Sequence, residues 1–443
     1  MSLLNTKLND IKAWENLKNV VKKRIEVDLQ EVERVIEVAR KTPGLAPHEP
    51  GLQKLSIFFA VATRYYQQEC PGELEGLLLF WERYRAAVLQ RYSAITPVEL
   101  RASDKVVTNV FDRFILKVPN ENIVYDQEVR PIVYGGEGGL YAYFTHPPGW
   151  NRPFAIINLP HAAFDNCWHW TALPHETGHD LYAAVQGLDK ELENALGERM
   201  IKAVRDKEVN IPAVHRDLSA LGGPNISYTG EEFLKKLWQG WANESQADIV
   251  ALLNCGGAAI VSLQQIIGFG TKDQWLLGQD EKGNVTDDPE PHPTSYIRNA
   301  LNIAALRLID NGSHRDLADE VEQRFTQLRP MENEIVWYLN GKIEFARVPI
   351  RELVKSAGIA ADVFCNHKLN VLGRKSYSEL GTFTANDQEL VTAMIKPLSQ
   401  GDPTFTQVMA GIEPRHALAA AVFAFEKDFK KADIINKTFL HFV

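Results

Sequence analysis

Apolar residues early in the chain recur at three- and four-residue spacing: Ile25, Leu29, Val32, Ile36 and Ala39. That period marks one buried face of a helix. Thr42-Pro43-Gly44 ends it, and a second helix is expected over 52–67. A third follows Cys70-Pro71-Gly72 and runs through Leu77, Phe80, Trp81, Tyr84, Val88 and Leu89. Near Pro119 the pattern changes. Residues 123–125, 129–134, 140–145 and 154–159 are short runs of β-branched and aromatic residues. The glycine-rich run 135–139 and Pro147-Pro148-Gly149 divide them, and both read as turns. The glycine run lacks the G-x-x-x-x-G-K-[ST] pattern of a phosphate loop, so a hairpin turn is expected there.

Helical character returns after residue 171 and continues through 191–207. Thr229 and Glu232 form a capping box that opens a long helix over 231–255, which Gly256-Gly257 closes. Beyond it nearly everything reads as helix or loop. The acidic stretch 279–293 is the longest loop, and periodic segments follow at 297–308, 348–354, 390–395 and 417–425. The expected class is α+β, in three regions. These are an N-terminal helical region (1–118), a sheet-containing lobe (119–205) and a mostly helical lobe (206–443).

At 443 residues, 45% hydrophobic and 24% charged, the composition is that of an ordinary globular protein with room for two or three domains. A net charge of -9 without any Lys/Arg-rich run argues against a nucleic-acid partner. Four scattered cysteines with no C-x-x-C spacing read as reduced thiols. The first residues carry charges too often for a signal peptide. The weakly polar run 249–269 is interrupted by Asn254, Gly256, Gly257, Gln264 and Gln265, which argues against a membrane span. A cytoplasmic location is the expectation. The pattern does not fix the oligomeric state.

The candidate chemistry centres on His175-Glu176-Thr177-Gly178-His179. On a helix of about 3.6 residues per turn, His175 and His179 share a face. Two neutral imidazoles so placed can bind one zinc ion, and Glu176 then stands where it can take a proton from a water activated by that metal. Pro174 suits a first turn, and Thr171 can cap it. A catalytic zinc site needs a third protein ligand. The H-E-x-x-H-x-x-G-x-x-H arrangement is excluded, because Tyr182 and Val185 stand where it requires glycine and histidine. The capped helix downstream contains Asn243-Glu244 and, one turn on, Asp248. Amid Trp238, Trp241, Ile249, Val250, Leu252 and Leu253, two carboxylates are costly to bury unless a cation compensates them.

Together, His175-Glu176-x-x-His179 and Asn243-Glu244-x-x-x-Asp248 resemble the gluzincin zinc metallopeptidases, the thermolysin-like group. The resemblance covers two short windows. The stretch between them is longer than is typical of that group and reads as an insertion. It implies a zincin-like two-lobed fold, zinc held by His175, His179 and Glu244, Glu176 as general base, and Asp248 orienting a histidine. It also implies a peptide or protein substrate laid along an edge strand, for which 154–159 is the candidate. Stabilisation of the developing oxyanion falls to a group from the helical lobe, with His292 and Tyr296 as candidates and Arg298 behind them. His161 and His169, flanking Cys167, read as hydrogen-bonding residues beside the cleft. Two other readings stay open: a zinc hydrolase of a non-peptide bond, and a scaffold or regulator with a structural or vestigial metal site. Glu176 argues against the second, since a structural site needs ligands but no base.

Overall fold

The computed structural model describes residues 97–443 apart from 125–128, 137, 150–151, 153, 218, 220–224, 281, 329–331 and 405–410. Upstream it describes 23, 27, 31, 34–42, 45–57 and 71–92, with the backbone alone for 71–80 and 92. Ile25, Leu29, Val32, most of the second helix beyond residue 57, and Cys70 lie outside the described residues.

Helix α1 (Pro71–Tyr92) and helix α2 (Val98–Ile115) lead into a small sheet of β1 (Ile132–Gly136), β2 (Phe144–His146) and β3 (Ile156–Pro160). Alternation along these strands serves two cores at once. Ile132, Tyr134 and Ile156 pack with Trp81, Tyr84 and Val88 of α1 and with Val35, Ile36 and Ala39 upstream. Val133, Ile157 and Leu159 join the main core on the other face, which runs from Leu100 to Val443. The Tyr84 hydroxyl donates to the Phe154 carbonyl at 2.6 Å, tying α1 to the sheet.

The strand order is β1-β3-β2, with β1 parallel and β2 antiparallel to β3. This corrects two expectations. The run 154–159 does not supply an edge strand: β3 is central, bonded on both sides, and β1 and β2 are the edges. Nor do the glycines at 135–139 close a hairpin, because β1 and β2 pair with β3 rather than with each other.

Helix α3 (Ala172–Ala184) carries the H-E-x-x-H pattern and is followed by α4 (Leu188–Arg205) and the β4 (Val214–Asp217), β5 (Asn225–Tyr228) hairpin. The capping box at Thr229 and Glu232 is formed, but the expected long helix is two. Helix α5 (Gly230–Gly240) ends and α6 (Ala242–Cys255) begins at Trp241, where a Cβ on Gly240 would come within 2.6 Å of Pro289. Helices α7 (Gly257–Ile267) and α8 (Ser295–Leu306) flank the next strands.

The reading of the C-terminal half as helix and loop is incomplete. Strands β6 (Lys272–Gln279), β7 (Val285–Pro289), β8 (Glu334–Leu339) and β9 (Ile343–Pro349) form a four-stranded sheet ordered β7-β6-β8-β9, so part of the acidic stretch 279–293 is strand. Val-Thr-Asp-Asp-Pro in β7 has little strand propensity of its own, and its ladder to β6 supplies what propensity lacks. Helices α9 (Arg315–Leu328), α10 (Ile350–Asn366), α11 (Tyr377–Leu380), α12 (Ala385–Gln400), α13 (Pro414–Lys427) and α14 (Ala432–Phe442) complete the chain. No helix among the described residues is long and apolar enough to cross a membrane. Cys167, Cys255 and Cys365 are buried and unbridged.

Candidate metal centre

Helices α3 and α6 cross at Gly178. A Cβ there would sit 2.6 Å from the Ala247 Cα, so only glycine lets the two backbones approach this closely. The crossing brings together residues that lie far apart in sequence. His175 Nε2 and His179 Nε2 are 3.2 Å apart, and Glu244 places one oxygen 3.5 Å from the first and the other 3.3 Å from the second. Among the described residues this trio could hold a metal ion. Donor atoms about 2.0–2.1 Å from a tetrahedral ion lie about 3.3 Å from one another, which the three spacings match.

The surrounding groups aim the donors. His179 Nδ1 lies 3.0 Å from Asn243 Oδ1, and a proton there leaves the Nε2 lone pair facing the trio. His175 Nδ1 lies 2.9 Å from Asp248 Oδ1, an ion-pair contact short of hydrogen-bond alignment. Arg298 neutralises Asp248 in turn, donating from Nε at 2.8 Å and from Nη2 at 2.7 Å. Glu244 sits in the first turn of α6, where the helix dipole favours an anion.

Without a bound cation the trio competes for protons. Burial lowers the basicity of His175, but Asp248 and then Glu244 outweigh it and raise its pKa to about 10. Burial together with a charged His175 holds His179 down to about 4. Burial works to raise the Glu244 carboxyl, yet His175 and His179 bring it to about 2. These contacts favour His175 over His179 as the protonated imidazole. Glu176 is not in the trio. It is 8% exposed, lines the same cleft, and is pushed up to about 7 chiefly by burial, with the backbone of Thr145 as a hydrogen-bond partner.

The cleft has a volume of about 460 Å³, within the range of small-ligand sites. Phe144 and Thr145 of the edge strand form one wall, and Ala259, Leu263 and Ile266 of α7 form part of another. His292 lies at its mouth, with 58% of its side chain exposed, Nδ1 2.8 Å from Glu290 and Nε2 3.3 Å from Glu244. Tyr296 is not brought to the cleft. It faces the core, 2% exposed, with its ring 4.6 Å from that of Phe325. Arg298 lines the cleft as the buried counter-ion of Asp248, with Nη2 3.8 Å from Glu244. His161 lies against Gly135 and Phe164, and His169 is buried beside Tyr141.

Two participants escaped sequence reasoning. Thr145 donates its hydroxyl to Asp180 at 2.6 Å, and Asp180 is fully buried directly after the second histidine. Burial, set against the Thr145 hydrogen bond, raises the Asp180 carboxyl well above the usual range. An aspartate at a helix position otherwise matching an apolar face was the available signal. Its partner on β2 could be found only from the fold. Comparison with protein-family models, curated proteins and solved structures gives no match at any of the three levels, so the chemistry of the cleft rests on its own geometry.

Proposed function

We propose that the protein is a zinc-dependent metallohydrolase that cleaves peptide bonds. The observation that carries this reading is the His175–His179–Glu244 trio, with spacings matching a tetrahedral ion, beside a buried carboxylate that is not one of the ligands. A structural site has no use for Glu176; a hydrolytic one requires it.

When bound, zinc would polarise a substrate carbonyl and acidify a water, the chemistry that a neutral active site otherwise lacks. The protein's own groups do the rest. Glu176 accepts the proton of the attacking water and returns it to the leaving amine; a carboxyl held near 7 suits both transfers. Edge strand β2 offers unpaired backbone groups beside the trio, which suits an extended peptide more than a compact ligand. His292, braced by Glu290, stands at the cleft mouth as a donor for charge developing on the carbonyl oxygen.

The test is elemental analysis of protein purified without metal-affinity steps, combined with cleavage of a broad peptide library. Wild type should carry about one zinc per chain, as expected for a single three-ligand site. Glu244→Ala should carry much less, and Glu176→Gln should keep the metal while losing cleavage. Full zinc in Glu244→Ala refutes the ligand assignment. Normal cleavage by Glu176→Gln refutes the role of the base.

A further inference from the structure

Beyond the metal centre the cleft continues onto α7 and α8. Leu263, Ile266 and Ile267 line it from α7, at the three- and four-residue spacing that sets them on one side of the helix, and each stays partly exposed. Ala251 of α6 and Ala259 of α7 add apolar surface without bulk. Asn302 of α8 lines the same cleft and is only 2% exposed. Its Nδ2 donates to the Arg298 carbonyl at 2.9 Å, which fixes which way the amide faces. Oδ1 is therefore a buried acceptor, and it has no hydrogen-bond donor among the described residues. The Tyr143 hydroxyl, also on the cleft and also without a partner, can at least turn its proton; a fixed amide oxygen has no such freedom.

We infer that Asn302 is a specificity-determining residue, and that the apolar wall of Leu263, Ile266 and Ile267 together with Asn302 Oδ1 selects a tyrosine side chain of the substrate over phenylalanine. The ring covers the α7 residues, and the phenolic hydroxyl donates to Oδ1. Phenylalanine covers the same surface but shuts Oδ1 away from water with nothing to pair it, and a site holding a buried polar group rejects the analogue that lacks the matching one. Other polar side chains fit less well. A lysine ammonium would give up its water shell for one neutral acceptor, a single helical turn from Arg298, which lines the same cleft. An aspartate or glutamate would set a second acceptor against Oδ1. Serine and threonine carry the donor but leave the apolar wall uncovered.

This inference rests on the peptidase reading for its substrate, and its test separates the two. The probes are end-blocked alanine heptapeptides with one central residue replaced by tyrosine, phenylalanine or O-methyltyrosine, whose ether oxygen accepts but cannot donate. Each is measured for cleavage by the zinc-loaded enzyme, with the cut located by mass spectrometry, and for calorimetric binding to metal-free protein. The proteins are wild type, Asn302→Leu and Asn302→Asp, the last of which retains an acceptor oxygen. Wild type should favour tyrosine over phenylalanine by about tenfold or more in kcat/KM and in binding, with O-methyltyrosine no better than phenylalanine. Asn302→Leu should erase that preference, and Asn302→Asp should keep it. Equal handling of tyrosine and phenylalanine by wild type, or a preference that persists in Asn302→Leu, overturns the subsite and leaves the peptidase standing. O-methyltyrosine handled as well as tyrosine overturns it without any variant, so the test stays decisive even if Asn302→Leu fails to fold. Tyrosine-selective binding without cleavage of any peptide refutes the peptidase and keeps the subsite. Neither binding nor cleavage refutes both.

Discussion

Glu176 sits in an environment at odds with its own chemistry. Burial is the main reason its carboxyl titrates near 7. An unfolded glutamate titrates near about 4.3. As pH rises between these values, the unfolded chain sheds a proton that the native state retains, so native stability falls across the window and the full penalty is present above it. Glu176→Gln removes the penalty. In metal-free protein the variant should therefore melt higher than wild type at pH 8, with the gap closing near pH 4. A gap that is absent at pH 8, or that grows toward low pH, would show that the carboxyl is not destabilised by its site. His175 has the opposite sign. Its pKa is raised, so the contribution of its charged contacts to Asp248 and Glu244 is present below about pH 6.5 and fades as pH rises through 10.

At the scale of elements, the centre depends on how closely α3 approaches α6. Gly178 sets that distance, because its missing Cβ accommodates the Ala247 backbone. Gly178→Ala adds a single methyl to a helix interior, where alanine is the better helix former, yet it should destabilise the protein by about 1–3 kcal/mol through overpacking. The same wedge moves Glu244 away from the two histidines, so zinc content should fall along with the denaturation midpoint. Stability equal to wild type with full zinc would mean the helices can part without cost. The gain in propensity and the loss in packing oppose each other, and the packing term is larger because backbone, not a flexible side chain, stands in the way.

From α2 to the C-terminus the described residues share one continuous core, with buried charge as well as apolar contact inside it. Asp387 of α12 accepts from Arg415 Nη2 at 2.7 Å and from His416 Nε2 at 2.8 Å, joining α12 to α13. Arg415 also reaches the Asn254 carbonyl at the end of α6. Burial works against the ionised Asp387, but His416 and Arg415 hold its carboxyl well below the usual range. Its contribution is thus present above about pH 4 and lost as pH falls below that. Asp387→Asn leaves Arg415 with Glu413 as its remaining counter-ion and removes the carboxylate shared with His416, and should cost about 1.5–3 kcal/mol in chemical denaturation at neutral pH, with zinc content unchanged in the folded protein. A loss under about 1 kcal/mol, the value of an exposed pair, would mean water reaches the cluster.

The sequence by itself determined the helices with strong apolar period, the α+β mixture, the capping box at Thr229, and the candidate ligands His175, His179 and Glu244. Local spacing encodes all of these: one helical turn separates the two histidines, and another separates Glu244 from Asp248. Tertiary structure decided the rest. It made β3 central and left β1 and β2 at the edges, because strand order is a matter of pairing partners and not of any one strand's composition. It recruited β7 despite poor propensity, because a ladder to β6 compensates. It turned Tyr296 into the core and Arg298 onto Asp248, because a helix in that sequence context could have rotated either face inward. And it set Arg83 of α1 beside His146 of β2, a neighbourhood produced by packing that no spacing along the chain records.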